Sequence, residues 1–206
     1  TLLIADDYGF GNQVLEYLGL KARFSGQNLL DPLMNYKNQW FPRIYHVAPS
    51  PITSNSDNLI FNHATALLNV DTDAALAWSS STSFLDLNGN ERWDNGEPTG
   101  PLPVISQHNL GSGKIILVAD PSILINSMEN KGKNDNFIQN IASTAKSGLL
   151  IDLSHLPTSN LRQTKSLLAT IRDFLTTPLA TLGLVITALT ITLIPIWYKK
   201  RAGSEE

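Results

Sequence analysis

The chain has 206 residues, of which 42% are hydrophobic and 16% are charged, and its formal net charge is −3. These values fit one folded domain with a short appendage, and they exclude a fully disordered chain and a membrane protein with several spans. Because basic residues are not in excess, nucleic acid is not the expected partner. Cysteine is absent, which excludes disulfides, thiolate metal sites and a cysteine nucleophile.

The first predicted element is a buried strand over Thr1–Ala5, whose short apolar run ends at two acids. Asn12 can then cap a short helix. The apolar residues of this helix lie on one side: Val14, Leu15, Leu18 and Leu20. A strand, a glycine-containing turn and a helix open an α/β unit. Because the strand lacks the charged start of a leader, we expect an upstream segment, a leader or a first strand, before Thr1.

A loop-like stretch follows from Ser25 to Pro42 and contains three aromatic residues, Tyr36, Trp40 and Phe41. We expect these rings to cover the core, and a binding surface is the alternative. Further short apolar runs predict strands over Arg43–Val47, Asn58–Phe61 and Ala74–Trp78.

Two later runs, Val104–His108 and Lys114–Ala119, flank the glycine-containing turn Asn109–Gly113, which predicts a β-hairpin. Apolar residues at helical spacing then predict a helix that is capped by Asn134 or Asp135. A last strand is predicted over Leu149–Leu153. Alternating short strands and helices predict a three-layer α/β domain over residues 1–156 with the hairpin at the sheet edge.

The C-terminal part predicts a membrane anchor. An amphipathic juxtamembrane helix is expected over 159–177, followed by the uncharged run Leu179–Tyr198. Twenty residues at about 1.5 Å each match a bilayer core of about 30 Å, so one transmembrane helix is expected there. The basic residues that begin the tail 199–206 place this tail in the cytoplasm and residues 1–156 outside the cell membrane.

The strongest chemical signal is the stretch Asp86–Glu97. Its oxygen-bearing residues have the spacing of a twelve-residue calcium loop. The predicted ligands are Asp86, Asn88, Asn90, Arg92 through its carbonyl, Asp94 directly or through water, and Glu97. All are hard oxygen donors in a flexible shell, which favours Ca²⁺ over Mg²⁺.

This loop departs from an EF-hand because Glu91 occupies the sixth position, where glycine is expected, and the flanks lack helical periodicity. Gly89 and Gly96 are expected to take over the tight turn. The sequence therefore predicts a calcium-stabilised loop in a β context with a structural role. A polar surface turn without metal is the alternative.

The residue types of a serine-hydrolase triad are also present, in Asp120, Ser122, Asp152 and His155. No Gly-x-Ser-x-Gly elbow presents a nucleophile. Capping and turn roles explain the same residues. A binding role is therefore favoured over an enzyme, with an extracellular hydrolase as the alternative, and no catalytic or cofactor-binding residue is predicted.

Several segments resemble an uncharacterised family of archaeal membrane-anchored proteins with a domain similar to class I glutamine amidotransferases. The resemblance is carried by Leu2–Gly9, Asn62–Thr65, Ala77–Ser81, Gly96–Val104, Ala119–Ile123 and Asp135–Asn140. It implies a flavodoxin-like sheet in an extracytoplasmic domain held by a membrane anchor. Amidotransferases of that class use a cysteine nucleophile, so the resemblance implies no glutaminase activity here.

Together these features predict a membrane-anchored extracytoplasmic binding or assembly module that is stabilised by a calcium loop. Its expected partners are the lipid bilayer, through Leu179–Tyr198, and other membrane or envelope proteins. The expected role is that of a subunit or accessory of a membrane or envelope complex.

Overall fold

The computed structural model describes residues 1–145, 148, 150–151 and 160–202, and the structural statements below concern these residues. The chain divides into two compact units, Thr1–Leu149 and Leu150–Glu206. Each unit is described by itself.

The described strands and helices of the first unit follow in chain order. The strands are β1 (Leu2–Ala5), β2 (Arg23–Phe24), β3 (Asn28–Leu30), β4 (Arg43–Ile44), β5 (His46–Val47), β6 (Leu59–Ile60), β7 (Leu67–Leu68), β8 (Ala75–Trp78), β9 (Phe84–Asp86), β10 (Pro103–Leu110) and β11 (Gly113–Val118). The helices are α1 (Asn12–Tyr17), a 3₁₀ turn (Pro121–Leu124), α2 (Asn126–Glu129) and α3 (Asn134–Ser143).

The central sheet has five strands in the order β1-β11-β10-β8-β5. Strands β1 and β11 are parallel, with Leu2 opposite Ile115 and Ala5 opposite Val118, and the other neighbours are antiparallel. Three two-stranded sheets, β2-β7, β3-β9 and β4-β6, complete the strand pairing. A mixed α/β fold with a central mixed sheet is therefore confirmed, whereas the three-layer flavodoxin-like arrangement stays a prediction.

The predicted hairpin is present, and its turn pairs Leu110 with Gly113. Its expected position was wrong, because the hairpin lies inside the sheet and not at its edge. The reason is the apolar character of β11, in which Ile115–Val118 are at most 3% exposed. A continuously apolar strand is typical of a sheet interior that is covered on both faces, and β1 pairs with β11 on the side away from β10.

Two other predicted elements differ in detail. The single strand predicted over Arg43–Val47 is split at Tyr45 into β4 and β5, which belong to different sheets. The strand predicted over Leu149–Leu153 includes residues outside the described ones.

Helix α1 begins without the side-chain cap expected from Asn12. The Asn12 amide instead joins α1 to β2, because its Nδ2 donates to the Phe24 carbonyl at 2.9 Å and its Oδ1 accepts from the Phe24 N–H at 2.8 Å. Leu15 is the fully buried residue of this helix. The core behind it contains buried side chains from β2, β6, β10, β11 and α3.

The second unit contains α4 (Asn160–Leu175) and α5 (Pro178–Ala202). Among the described residues, no single helix meets the length and apolarity required to cross a membrane. Leu167–Leu175 and Ala180–Pro195 meet this requirement only as a pair, and the pair is bent by 79°.

Candidate metal-binding loop and strand-end carboxylates

The candidate metal loop starts at Asp86, the last residue of β9, whose side chain is 1% exposed. Its Oδ1 accepts from the N–H groups of Gly89 at 2.8 Å and Asn90 at 3.2 Å. Its Oδ2 accepts from the Glu91 N–H at 2.9 Å. One buried carboxylate therefore organises the first half of the loop through three backbone donors.

Glu97 joins the end of the loop to its beginning and middle. Its Oε1 accepts from the Leu87 N–H at 2.8 Å, and its Oε2 accepts from the Asp94 N–H at 3.0 Å. Glu97 is 9% exposed. Because both carboxylate oxygens are held by backbone donors, the last predicted ligand is fixed relative to the first.

The polar middle of the loop converges on Asp94. The Nδ2 groups of Asn88 and Asn90 donate to Asp94 Oδ2 at 2.7 and 2.6 Å. These two hydrogen bonds, that from Asn88 first, lower the pKa of Asp94. The Asn90 Oδ1 accepts from the Arg92 N–H at 2.8 Å. The structure thus joins all six predicted ligand residues in one hydrogen-bonded loop.

The donor chemistry fits a hard cation, because Asp86, Asp94 and Glu97 supply carboxylates and the two asparagines supply amide oxygens. In the part of the chain that the structure describes, however, no group of three or more His, Cys, Asp or Glu residues is arranged to hold a metal ion. The calcium site therefore stays a prediction.

The tight turn of the loop lies where an EF-hand has its glycine, although this chain has Glu91 there. Glu91 adopts a φ of 62°, while Gly89 and Gly96 have φ values of 76° and 100°. A left-handed conformation costs a non-glycine residue about 1 kcal/mol. Gln39 supports this turn, because its Nε2 donates to the Glu91 carbonyl at 3.2 Å.

A second group of carboxylates lies where the parallel strands β1 and β11 end. Asp6 follows β1, and its carboxylate accepts from the N–H groups of Tyr8 at 2.9 Å, Gly9 at 3.2 Å and Gly11 at 2.6 Å. This is the edge at which open α/β sheets bind ligands. Asp6 is 8% exposed, so its main role in the structure is to fix the loop after β1.

Asp120 follows β11 and is fully buried. It accepts from the Asn62 N–H and the Ser122 N–H, both at 2.7 Å. Burial raises the pKa of Asp120 to about 7, against the lowering effect of these hydrogen bonds. The nearby Asp7 also has a raised pKa, mainly because of burial.

The raised pKa of Asp120 predicts a specific pH dependence of stability. The folded chain holds this proton up to about pH 7, whereas the unfolded chain releases it near pH 4. The contribution of Asp120 to the free energy of unfolding should therefore be complete below pH 4 and should fall as the pH rises to 7, by up to about 1.4 kcal/mol per pH unit. Urea denaturation between pH 4 and 8 measures this slope.

The Asp120→Asn variant is the control for this slope. In this variant the free energy of unfolding should fall much less between pH 4 and 7, and the remaining decrease should come from Asp7. The variant should also be less stable by about 1–3 kcal/mol at low pH, because an amide nitrogen cannot accept one of the two backbone hydrogen bonds. Identical slopes in the two proteins would contradict the assignment to Asp120.

Of the residues predicted for the alternative hydrolase, the structure brings together Asp120 and Ser122. Asp120 caps the 3₁₀ turn at Pro121–Leu124, as expected from the capping interpretation. Asp152 and His155 lie outside the described residues. The hydrolase constellation therefore stays an untested alternative.

The three aromatic residues predicted to cover the core are partly exposed. Trp40 stacks on His63 with ring centroids 4.7 Å apart, and Phe41 meets the same imidazole edge-on at 6.2 Å. His63 has a φ of 55°, a strained conformation that often marks functional sites. Trp40 also lines an open groove of about 620 Å³ that extends to Glu91.

Sequence reasoning missed a more exposed aromatic pair. Tyr8 and Phe10 are 72% and 80% exposed, and their rings stack with centroids 5.8 Å apart. They lie in the loop Asp7–Gly11, called the aromatic loop below, whose backbone is fixed by Asp6. The sequence did contain a signal for this pair. Two aromatic residues alternate with glycines directly after a strand, a pattern that is typical of an exposed turn.

The family described as Domain of unknown function (DUF4350) matches residues 1–142. The chain belongs to the DUF4350 family. The matched DUF4350 region contains the central sheet, the aromatic loop and the candidate metal loop. No curated protein matches the sequence.

The DUF4350 chain is also similar to a solved structure titled "mmIFT52 N-terminal domain", with a TM-score of 0.51 and 16% sequence identity. The similarity covers 72% of the DUF4350 chain and 66% of that structure. At this level of identity the comparison supports the fold alone.

Proposed function

We propose that this DUF4350 protein is a binding or assembly module whose N-terminal domain lies outside the cytoplasm. In this proposal Leu179–Tyr198 anchors the domain in the cell membrane, and calcium in the Asp86–Glu97 loop stabilises it. The partners are other membrane or envelope proteins, and the chain acts as a subunit or accessory of their complex.

The observation that carries the binding proposal is the exposure of Tyr8 and Phe10 on a rigid loop. Two large rings that are more than two-thirds exposed leave apolar area in contact with water. The Asp6 carboxylate and three backbone N–H groups hold that loop in one conformation. Aromatic residues on a preorganised backbone are typical of binding hot spots, because little conformational entropy is lost on association.

The neighbourhood of the aromatic loop also favours a recognition surface. Asp7 lies within electrostatic range of His63, and His63 stacks on Trp40. Asp7 of the aromatic loop is thus linked through His63 to the partly exposed Trp40 ring. Such a mixture of aromatic and polar groups is common in protein–protein interfaces.

Calcium would act in this module by fixing one side of the β3-β9 pair. Asp86 is both the last residue of β9 and the first predicted ligand, and it is paired with Asn28 of β3. A cation shared by Asp86 and Glu97 would offset the repulsion between their carboxylates. The loop Asp86–Glu97 lacks flanking helices, so a structural role is favoured over a sensor role.

Removing the two exposed rings together should strongly weaken partner binding without unfolding the domain. The full chain carrying Tyr8→Ser and Phe10→Ser should lose at least about 2 kcal/mol of binding free energy, the size of a hot spot. The measurement is crosslinking of the chain in its native membrane, followed by identification and quantification of the crosslinked protein.

The matched control is Tyr17→Ser, because Tyr17 is an 89% exposed aromatic residue on α1. It should retain the crosslinked partner and the thermal stability of the natural chain. A chain that stays strictly monomeric in its native membrane would contradict the proposal, as would equal crosslinking by the two variants.

The alternative function is an extracellular hydrolase that uses Asp120, Ser122, Asp152 and His155. The proximity of Asp120 to Ser122 and its raised pKa support it. It requires His155 to come within hydrogen-bond reach of one of these groups. A structure that places His155 more than about 10 Å from Asp120, Ser122 and Asp152 would exclude it.

A further inference from the structure

Helix α4 has an apolar face that the second unit leaves in solvent. Its members recur at helical spacing and are 40–64% exposed: Leu167, Leu168, Ile171, Phe174 and Leu175. At 3.6 residues per turn these five residues cover about one third of the helix circumference. They form a continuous stripe, called the α4 stripe below.

The charged residues of α4 lie beside this stripe. Lys165 and Arg172 are seven residues apart and therefore lie on the same side of the helix. Both are exposed, and Arg172 pairs with Asp173 at 2.8 Å. Basic residues that border an apolar stripe allow a helix to lie in a membrane interface, because their alkyl chains cover apolar surface while the charges stay in water.

The direction of α4 relative to α5 supports the same arrangement. The segments Leu167–Leu175 and Ala180–Pro195 are bent by 79°. If α5 enters a bilayer near its normal, a helix at this angle runs close to the membrane plane. The two helices also differ in pattern, since the part Leu179–Tyr198 of α5 contains no charged residue, whereas α4 is apolar on one face only.

We infer that α4 lies in the headgroup region of the bilayer, with the α4 stripe facing the acyl chains and its polar side facing water. This inference rests on the proposed membrane anchor. It gives the anchor two parts, an apolar helix that enters the bilayer and an amphipathic helix that lies on it.

Site-directed spin labelling tests this arrangement, because the natural chain has no cysteine. Single variants of the full chain carry a label in the α4 stripe (Leu168→Cys or Ile171→Cys) or on its polar side (Ala169→Cys). Each is reconstituted in vesicles of phosphatidylcholine and phosphatidylglycerol. Power saturation with oxygen and an aqueous nickel reagent then gives the depth of each label.

The stripe labels should lie about 5–10 Å below the headgroup boundary, whereas the Ala169→Cys label should stay in water. Two reference labels separate this inference from the anchor itself. Leu189→Cys should report the bilayer interior, and Tyr17→Cys should report water.

Three results would overturn the inference, and they differ in whether the proposed membrane anchor is also overturned. Equal aqueous access at stripe and polar positions, with Leu189→Cys inside the bilayer, would overturn the position of α4 and leave the anchor intact. Stripe labels protected from both reagents would mean that protein covers the stripe, and spin–spin broadening would identify a second copy. Aqueous access at Leu189→Cys would overturn both the anchor and this inference.

Discussion

Replacing Asp86 with alanine should destabilise the N-terminal domain by about 2–4 kcal/mol even without metal. The Asp86 carboxylate accepts three backbone N–H groups, and a hydrogen bond to a charged group contributes about 1.5–3 kcal/mol. The loss is smaller than the sum because the exposed part of the loop gains water. Thermal or urea unfolding of the full chain in a chelator measures this value.

The same variant should also lose its response to calcium. A single site that binds only the folded state stabilises it by about 2.7 kcal/mol when free calcium reaches 100 times the dissociation constant. Because extracellular modules bind calcium at about 10⁻⁴–10⁻³ M, millimolar calcium should already raise the melting temperature of the natural chain. Asp86→Ala should melt at the same temperature with calcium and with chelator.

The control for this comparison is Asp57→Ala, because Asp57 is an exposed aspartate away from the loop. It should keep both the stability and the calcium response of the natural chain. If calcium does not change the melting temperature of the natural chain, the loop is a polar surface turn that binds no metal. The loss of stability in chelator would remain, because it depends on the hydrogen bonds alone.

Replacing Gly100 with alanine should lower the free energy of unfolding by about 3–5 kcal/mol, a large part of the stability of an ordinary domain. A Cβ atom at this position would lie 1.8 Å from the Ser80 carbonyl oxygen and 2.5 Å from the Ser83 Oγ. Contacts this short cannot be relieved by a side-chain rotation, because the nearest atom belongs to the backbone. The turn over residues 80–83 would have to move.

That movement would disturb a buried polar group. Asp31 is fully buried and accepts from the Ser80 hydroxyl at 2.5 Å and the Thr82 hydroxyl at 2.9 Å. Loss of these partners would leave a buried carboxylate with fewer donors, which is a large cost. Urea denaturation, or soluble yield if the variant does not fold, measures the effect.

Gly113→Ala is the matched control, because a Cβ there would meet its nearest atom, the Leu110 carbonyl oxygen, at 3.4 Å. Its free energy of unfolding should stay within about 1 kcal/mol of the natural value. Similar stabilities for the two variants would show that the backbone near Gly100 can move to admit a methyl group at little cost.

The sequence predicted those parts of the fold that depend on local pattern. The hairpin across the Asn109–Gly113 turn is confirmed. It could be predicted because its turn residues and its two apolar runs are close together in the sequence. The position of that hairpin in the sheet could not be predicted, because the parallel pairing of β1 with β11 joins residues more than a hundred positions apart. Local pattern does not encode which strand fills that place.

The candidate sites show the same division. The spacing of Asp86 and Glu97 predicted two calcium ligands, which stays a prediction; the structure shows that both carboxylates accept backbone hydrogen bonds within the loop. The tight turn at Glu91 was not predicted, because propensity disfavours a left-handed glutamate and support comes from Gln39, 52 residues away. The exposed pair Tyr8 and Phe10 was missed because exposure follows from the tertiary fold.

The outer strand β5 has a consequence for how this protein associates. It contributes only His46 and Val47 to the sheet, and Pro49 and Pro51 follow at once. Proline has no backbone N–H, so a neighbouring chain cannot extend a ladder of hydrogen bonds along this border. Copies crowded together would therefore be protected here against fusion into a continuous intermolecular sheet, the first step toward amyloid-like fibres.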